Sequence, residues 1–395
     1  MNFINNKHIS IYLIILFAFS VFFLNEKHMV GNDSTISEWI INYEGGFTKR
    51  GSIGQISVYL SNIFDLQLRF TILLFQIFIV SLYFLLLHYF FLNLKLNNII
   101  ILSIFSPIFI LYPVAEIEVL ARKETFLFCF FLFYLMIKNI NYRHVYKVVA
   151  LPLAVLIWEP VVFFFPFWFI LDFIEDKQKN IFKYFFSSVM YYIPAILIAG
   201  FIASNPISEQ GHSQMVNFLN NNFNERCYMS CDLLLHKSSI YAQFHDVLIL
   251  FNLERIIRYI LIIFVGFGPL IILLSFSKFN KLNSLIFSIL VSIPIIILFL
   301  MMTDWGRVVN MFYTFSILTF LYLYKNDHLK IDKKIFENLL VKLLRRKKLF
   351  IFIFIIFSFG WNPKTSIVGD VGSKPGYQIP KKVIKITYNK YIKSF

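Results

Sequence analysis

The chain has 395 residues, of which 58% are hydrophobic and 15% charged, with 50 phenylalanines and a mean hydropathy of +0.70. Soluble domains carry about 25% charged residues, so a soluble enzyme is excluded, and disorder, which needs low hydrophobicity, goes with it. The net charge of +15 comes from 37 Lys+Arg against 22 Asp+Glu; in a membrane chain that excess belongs to cytoplasmic loops and anionic lipid, and no nucleic-acid partner is expected.

Apolar runs cover residues 9–24, 70–92, 99–115, 125–137, 184–203, 256–276, 285–302 and 311–324. Crossing a bilayer takes about 20 such residues, so the shorter runs must draw on their polar flanks or sit inside a bundle. Runs 148–158 and 161–174 are separated only by Glu159-Pro160, which predicts a tight hairpin, and a last run, 349–361, follows Arg345-Arg346-Lys347-Lys348. Together they predict an all-α, polytopic transmembrane helical bundle of about 10–11 membrane segments. No internal repeat divides it, so residues 1–395 read as a single integral membrane domain. Lys7 precedes the first run and Asn25-Glu26-Lys27-His28 follows it without a small-residue cleavage site, the pattern of a retained anchor rather than a signal peptide.

Loop charge sets the orientation. With the N-terminus inside, the short segments holding most of the helix-flanking lysines and arginines fall in the cytoplasm. Among them is 325–348, whose Ile331, Ile335, Leu339 and Leu343 recur at helical spacing and predict an amphipathic helix on the membrane surface. The other side receives the first loop 25–69, residues 116–124, the Glu159-Pro160 turn, the long loop 204–255, residues 303–310 and the tail 362–395, whose seven lysines would suit the cytoplasm equally.

The charged short motifs all lie on this second side: Tyr43-Glu44-Gly45-Gly46-Phe47-Thr48-Lys49-Arg50-Gly51, Glu116 to Glu124, Trp158-Glu159-Pro160 and Asp304-Trp305-Gly306-Arg307. Charges beside membrane segments are expensive unless they line a wet cavity and pair with one another or with substrate, so these four motifs are expected to converge. In the first, glycines permit close backbone approach while Lys49 and Arg50 offer donors to phosphate oxygens, either of a substrate diphosphate or of lipid headgroups. An amphipathic surface helix with Ile53, Ile56, Tyr59 and Leu60 should follow. In the second, Glu118 and Arg122 are spaced to share a helix face as an ion pair. In the fourth, Arg307 pairs with Asp304 or holds an anion. Glu159 is a single carboxylate at a turn. In the long loop, Cys227 and Cys231 are free to form a disulfide or stay reduced, and with the scattered His212, His236 and His245 they make no metal signature. No P-loop, G-x-S-x-G, H-E-x-x-H or Rossmann fingerprint is present. His88, the one histidine inside an apolar run, argues against a membrane acyltransferase with a histidine base.

In its many spans, long external loop and arginine-bearing short external loops, the chain resembles the polytopic glycosyltransferases and polymerases that build bacterial surface polysaccharides. Gly46-Phe47-Thr48-Lys49-Arg50-Gly51, Ala121-Arg122-Lys123-Glu124 and Asp304-Trp305-Gly306-Arg307 are similar to short motifs of O-antigen and capsular polysaccharide polymerases. The resemblance implies a reaction at the periplasmic face of the inner membrane, on an oligosaccharide carried by a polyprenyl diphosphate, among membrane lipids and other polysaccharide-assembly membrane proteins. Lys49, Arg50, Arg122 and Arg307 would bind the diphosphate, where charge builds in the transition state. Glu118, Asp304 or Glu159 would take the acceptor proton. No cofactor or metal is expected, since arginines can neutralise the diphosphate and the first external loop has no paired acids, Asp33 and Glu38 being separated. Two other readings are a GT-C-like enzyme adding one sugar from a polyprenyl-phosphate donor, and a lipid-linked oligosaccharide flippase or transporter.

Overall fold

The computed structural model describes residues 4–30, 34–176, 180–236, 240–279, 282–332, 335, 339–367 and 374–392. In chain order the helices begin with α1 (Asn6–Val30), α2 (Ser34–Ser37), α3 (Gly51–Phe64), α4 (Leu68–Phe91), α5 (Asn98–Ile104), α6 (Tyr112–Ala115) and α7 (Glu124–Met136). They continue with α8 (Ile140–Ile157), α9 (Phe165–Glu175), α10 (Ile181–Ser188), α11 (Ile193–Ser204), α12 (Glu209–Phe223), α13 (Leu233–His236) and α14 (Ile240–Leu250). The remainder are α15 (Leu253–Ser275), α16 (Ser284–Met301), α17 (Trp305–Lys325), α18 (Leu339–Leu344), α19 (Lys347–Phe359) and α20 (Pro375–Tyr391). The architecture is all-α. Among the described residues its sheet is one antiparallel pair, β1 (Ser277–Phe279) with β2 (Leu329–Ile331).

Asparagine side chains start many of these helices: Asn97, Asn139, Asn180, Asn252 and Asn283 accept from the first free N–H groups of α5, α8, α10, α15 and α16. An amide oxygen there satisfies donors that have no carbonyl one turn back. Among the described residues four helices, α1, α4, α15 and α16, are long and apolar enough to cross a membrane, and a fifth span results if α10 and α11 are taken as one helix bent by 63°. They mark the chain as a membrane protein.

Several predicted segments take a different form. Run 99–115 is not continuous, because α5 ends before Ser106-Pro107 and the chain turns until α6; a residue before proline is driven out of the helical region. The surface helix expected over 325–348 is not a single helix: Lys330 and Ile331 pair with β1 and α18 spans only Leu339–Leu344, while residues 333–334 and 336–338 lie outside the described ones. The long loop 204–255 folds into α12, α13 and α14, and the tail carries α20.

At the centre stands α17, in which every residue from Trp305 to Leu323 except Phe312 is buried. It packs against α7, α9, α15 and α16. Phe315 lies at its middle, against Phe131, Phe164, Phe167 and Trp168 at ring-centroid distances of 4.6–5.4 Å. Around this core α1 packs on α4, α4 on α7, and α8 on α11.

Candidate functional site

Gly54 allows α3 to lie directly on the preceding segment, since a Cβ there would fall 1.9 Å from the Ile41 carbonyl oxygen. The turn between is strained at Arg50 itself, which adopts φ +65° with no glycine to ease it. Ala121, next to Arg122, likewise has φ +54°. Left-handed backbone at non-glycine residues persists only when surrounding contacts impose it. Here the Lys123 ammonium donates to the Arg50 carbonyl, and the Trp39 indole donates to the Ala121 carbonyl at 3.0 Å.

These two turns aim their arginines into one row of alternating charges. Glu159 takes a bidentate pair from Arg50, Nε to Oε2 and Nη2 to Oε1, both 2.9 Å. The Arg50 Nη1 lies 3.7 Å from Glu38, whose other oxygen accepts from Arg122 Nε at 2.8 Å. The Arg122 Nη1 is 3.8 Å from Asp304, which accepts from Arg307 Nη1 at 2.7 Å, and Arg307 pairs in turn with Glu124. Residues from all four charged motifs thus meet, and Asp304–Arg307 is the ion pair its spacing predicts. Pairing around each member is what makes so many buried charges tolerable.

Glu118 does not join them. The segment forms a three-residue 3-10 turn, Ile117–Val119, and not a continuing helix, so the Glu118 side chain is exposed and Arg122 takes Glu38 and Asp304 in its place. The residue the sequence did not offer as a site member is Glu38, fully buried and placed between two arginines. Its partners were the available signal, because several cations facing one side need a buried counter-charge. Asp33 lies outside the described residues. Glu116 is used elsewhere, accepting from Asn362 and Lys364 at 3.0 and 2.8 Å and so tying the tail to this end of the bundle.

Burial pushes the Glu38 carboxyl up, but Arg122, Arg307, Arg50 and Lys123 outweigh it and hold the group at about 2. Glu159 is likewise held below the ordinary carboxylate range, since Arg50 and Lys49 prevail over burial. Lys123 goes the other way: burial brings it down to about 7 against the pull of Glu38 and Glu159, with Arg50 and Arg122 adding to the fall. Between about pH 7 and the ordinary lysine value of 10.5, the unfolded chain keeps a proton that the folded chain has released. Stability should therefore rise with pH across that window, by at most about 1.4 kcal/mol per unit. Thermal unfolding in detergent from pH 7 to 10 is expected to show this rise in the wild type and to lose it in Lys123→Met; parallel curves would refute the assignment.

One end of the row opens into a cavity of about 760 Å³. Its charged rim is Lys49, Arg50 and Glu159; apolar walls come from Ile196, Ala199 and Ala203 of α11 and from Leu298 and Met301 of α16. Such a space suits an amphiphile with an anionic head. The segment that follows α11 closes over the row. Cys227 and Cys231 form a disulfide, and Ser230 inside that loop donates its N–H to Ser37 Oγ at 3.2 Å and accepts from Arg122 Nη2 at 3.5 Å. A bidentate pair of Arg69 with Glu225, both bonds 2.7 Å, fastens the same segment to α4. His212 Nε2 lies 3.6 Å from Cys227 Sγ, but sulfurs bonded to each other leave the imidazole as the one metal donor of that trio.

A second buried charged group occupies the opposite ends of α7 and α17. Asp172 accepts from Lys147 Nζ at 2.6 Å and from the Tyr134 hydroxyl, while Arg143 donates to Glu175 at 2.7 Å and to the Tyr322 hydroxyl. Both cations lie on α8, which starts at Ile140, and both are buried. Its four charges are matched internally, and none of these residues lines the cavity beside Arg50.

Comparison of the chain with protein-family models, with curated proteins and with solved structures gives no match.

Proposed function

We propose that the protein is a membrane-embedded glycosyltransferase of bacterial surface-polysaccharide assembly, a repeat-unit polymerase acting on polyprenyl-diphosphate-linked oligosaccharide. The shorter helices would complete about 10–11 membrane segments, with the N-terminus cytoplasmic and the Arg50–Arg307 end of the bundle at the periplasmic face of the inner membrane. The supporting observation is the cationic rim of Lys49 and Arg50 on an apolar cavity, the pairing of surfaces that a diphosphate on a lipid tail requires. Of the three carboxylates named from the sequence, Glu159 alone lines that cavity; Asp304 lies off it, between Arg122 and Arg307.

In the reaction the acceptor hydroxyl gives its proton to Glu159 as its oxygen bonds to the anomeric carbon. The bond from that carbon to the diphosphate oxygen breaks, and the electron pair leaves on the diphosphate, where Lys49 and Arg50 receive the developing charge. Arg122 and Arg307 hold the arrangement from behind, through Glu38 and Asp304.

Surface polysaccharide from the native host, with the gene deleted and then restored, tests this on a gel. Loss of the ladder with survival of a single-repeat band is the expected result. A ladder of unchanged length but altered sugar content would replace polymerisation with single-sugar transfer. Loss of every surface repeat would favour a flippase, and an unchanged product would end the polysaccharide reading.

A further inference from the structure

A carboxylate clasped bidentately by a guanidinium is a poor proton acceptor, and the same clasp covers the edge of the arginine that should meet phosphate. Arg50 and Glu159 both line the cavity, and there Nε and Nη2 of Arg50 are held by Glu159 while Nη1 lies 3.7 Å from the buried Glu38. We infer that Glu159 stands on Arg50 in the place of the substrate's phosphate, and that an anionic head entering the cavity displaces it, arming Glu159 as the base only when the donor is bound. The inference rests on the diphosphate reading of the site.

The geometry supplies each part of the exchange. Nη1 beside Glu38 and the Lys123 bond to the Arg50 carbonyl keep the arginine's root fixed while its outer edge changes partner. Both partners are within reach of a ligand, since their side chains keep 21% and 23% exposure where every other member of the row except Asp304 keeps 7% or less. The charged groups facing Glu159 are Arg50 and Lys49, with Glu38 and Lys123 one contact behind. The walls from α11 and α16 bring only uncharged side chains to the cavity. Once Arg50 turns to phosphate, burial and the adjoining anion act on Glu159 together, and both favour its protonated form. Its proton affinity then rises toward the range in which a general base works.

The test is binding of farnesyl diphosphate, and of inorganic pyrophosphate, to the full-length protein in detergent. Removing an internal competitor should tighten binding, so Glu159→Gln is expected to bind both probes about tenfold more strongly while forming no polymer. The larger absolute affinity should go to the farnesylated probe, which fills the apolar walls. In the wild type, calorimetry at pH 6 in two buffers of different ionisation enthalpy should show proton uptake on binding, a readout that needs no variant to fold. Unchanged or weaker binding by Glu159→Gln, no binding by the wild type, or binding without proton uptake would each overturn the exchange. These results are separable from the gel. A ladder lost on deletion with no tightening removes the exchange alone, whereas tightening with an unchanged surface polysaccharide keeps the exchange and assigns it to another phosphate-bearing lipid.

Discussion

Glu38→Gln is expected to cost about 3–5 kcal/mol of stability, the range for stripping one partner from a buried ion pair, and to abolish the polysaccharide ladder. Glu38 has no exposed surface, and it pairs with both Arg50 and Arg122. Glutamine keeps the shape and loses the charge, leaving the neighbouring cations in excess in a poorly solvated interior. The loss should also follow pH. Held at about 2 in the folded chain against an ordinary 4.5, Glu38 contributes stability that is complete above 4.5 and disappears as pH falls toward 2. The matched control is Glu118→Gln, an exposed side chain outside the row, expected to shift stability by no more than about 0.5 kcal/mol. Denaturation of both variants in the same detergent decides the matter: equal midpoints would mean that the row is a juxtaposition without energetic coupling.

The second large effect is expected at the other end of the bundle. Asp172→Asn leaves the Lys147 ammonium buried without its 2.6 Å partner and should destabilise by about 3–5 kcal/mol. Adding Lys147→Met removes the stranded charge, so the double variant should recover about 1–3 kcal/mol relative to additivity. Polymer formation should track the amount of folded protein in all three variants, because nothing there reaches the cavity. An additive cycle would show that the pair is not coupled, and a fall in product at constant folded amount would give this group a part in the reaction.

The helices were legible because long apolar runs leave the backbone no other way to satisfy its hydrogen bonds in lipid. The meeting of the charged motifs was also legible, once loop charge had placed four distant stretches on one side. What failed depended on assuming regular backbone where there is none. The Glu118–Arg122 pair presumed a helix through residues whose path bends at Ala121, and the surface helix over 325–348 presumed continuity through residues that instead pair as a strand. Glu38 was missed because it stands alone in sequence; only contacts made across 84 residues of chain, to Arg122, reveal it. Arg143 and Lys147 stayed hidden for the opposite reason. Cations beside an apolar run satisfy the loop-charge rule without further explanation, so nothing in the sequence marks their burial at the start of α8.

The charged groups at the two ends of α17 also constrain how the molecule can move. Arg307 and Tyr322 are fifteen residues apart, about 22 Å along the axis, and each is bonded to other helices. A piston stroke of one turn, about 5.4 Å, would break both attachments at once and drag a fully packed aromatic layer with it. The helix is therefore a strut, and the degrees of freedom lie elsewhere. The cavity can widen only where its walls have slack: along α11, already hinged at residues 189–192, and along α16, whose outward face is largely uncovered. Parting of those two helices, against a stationary strut, is the movement this construction leaves open.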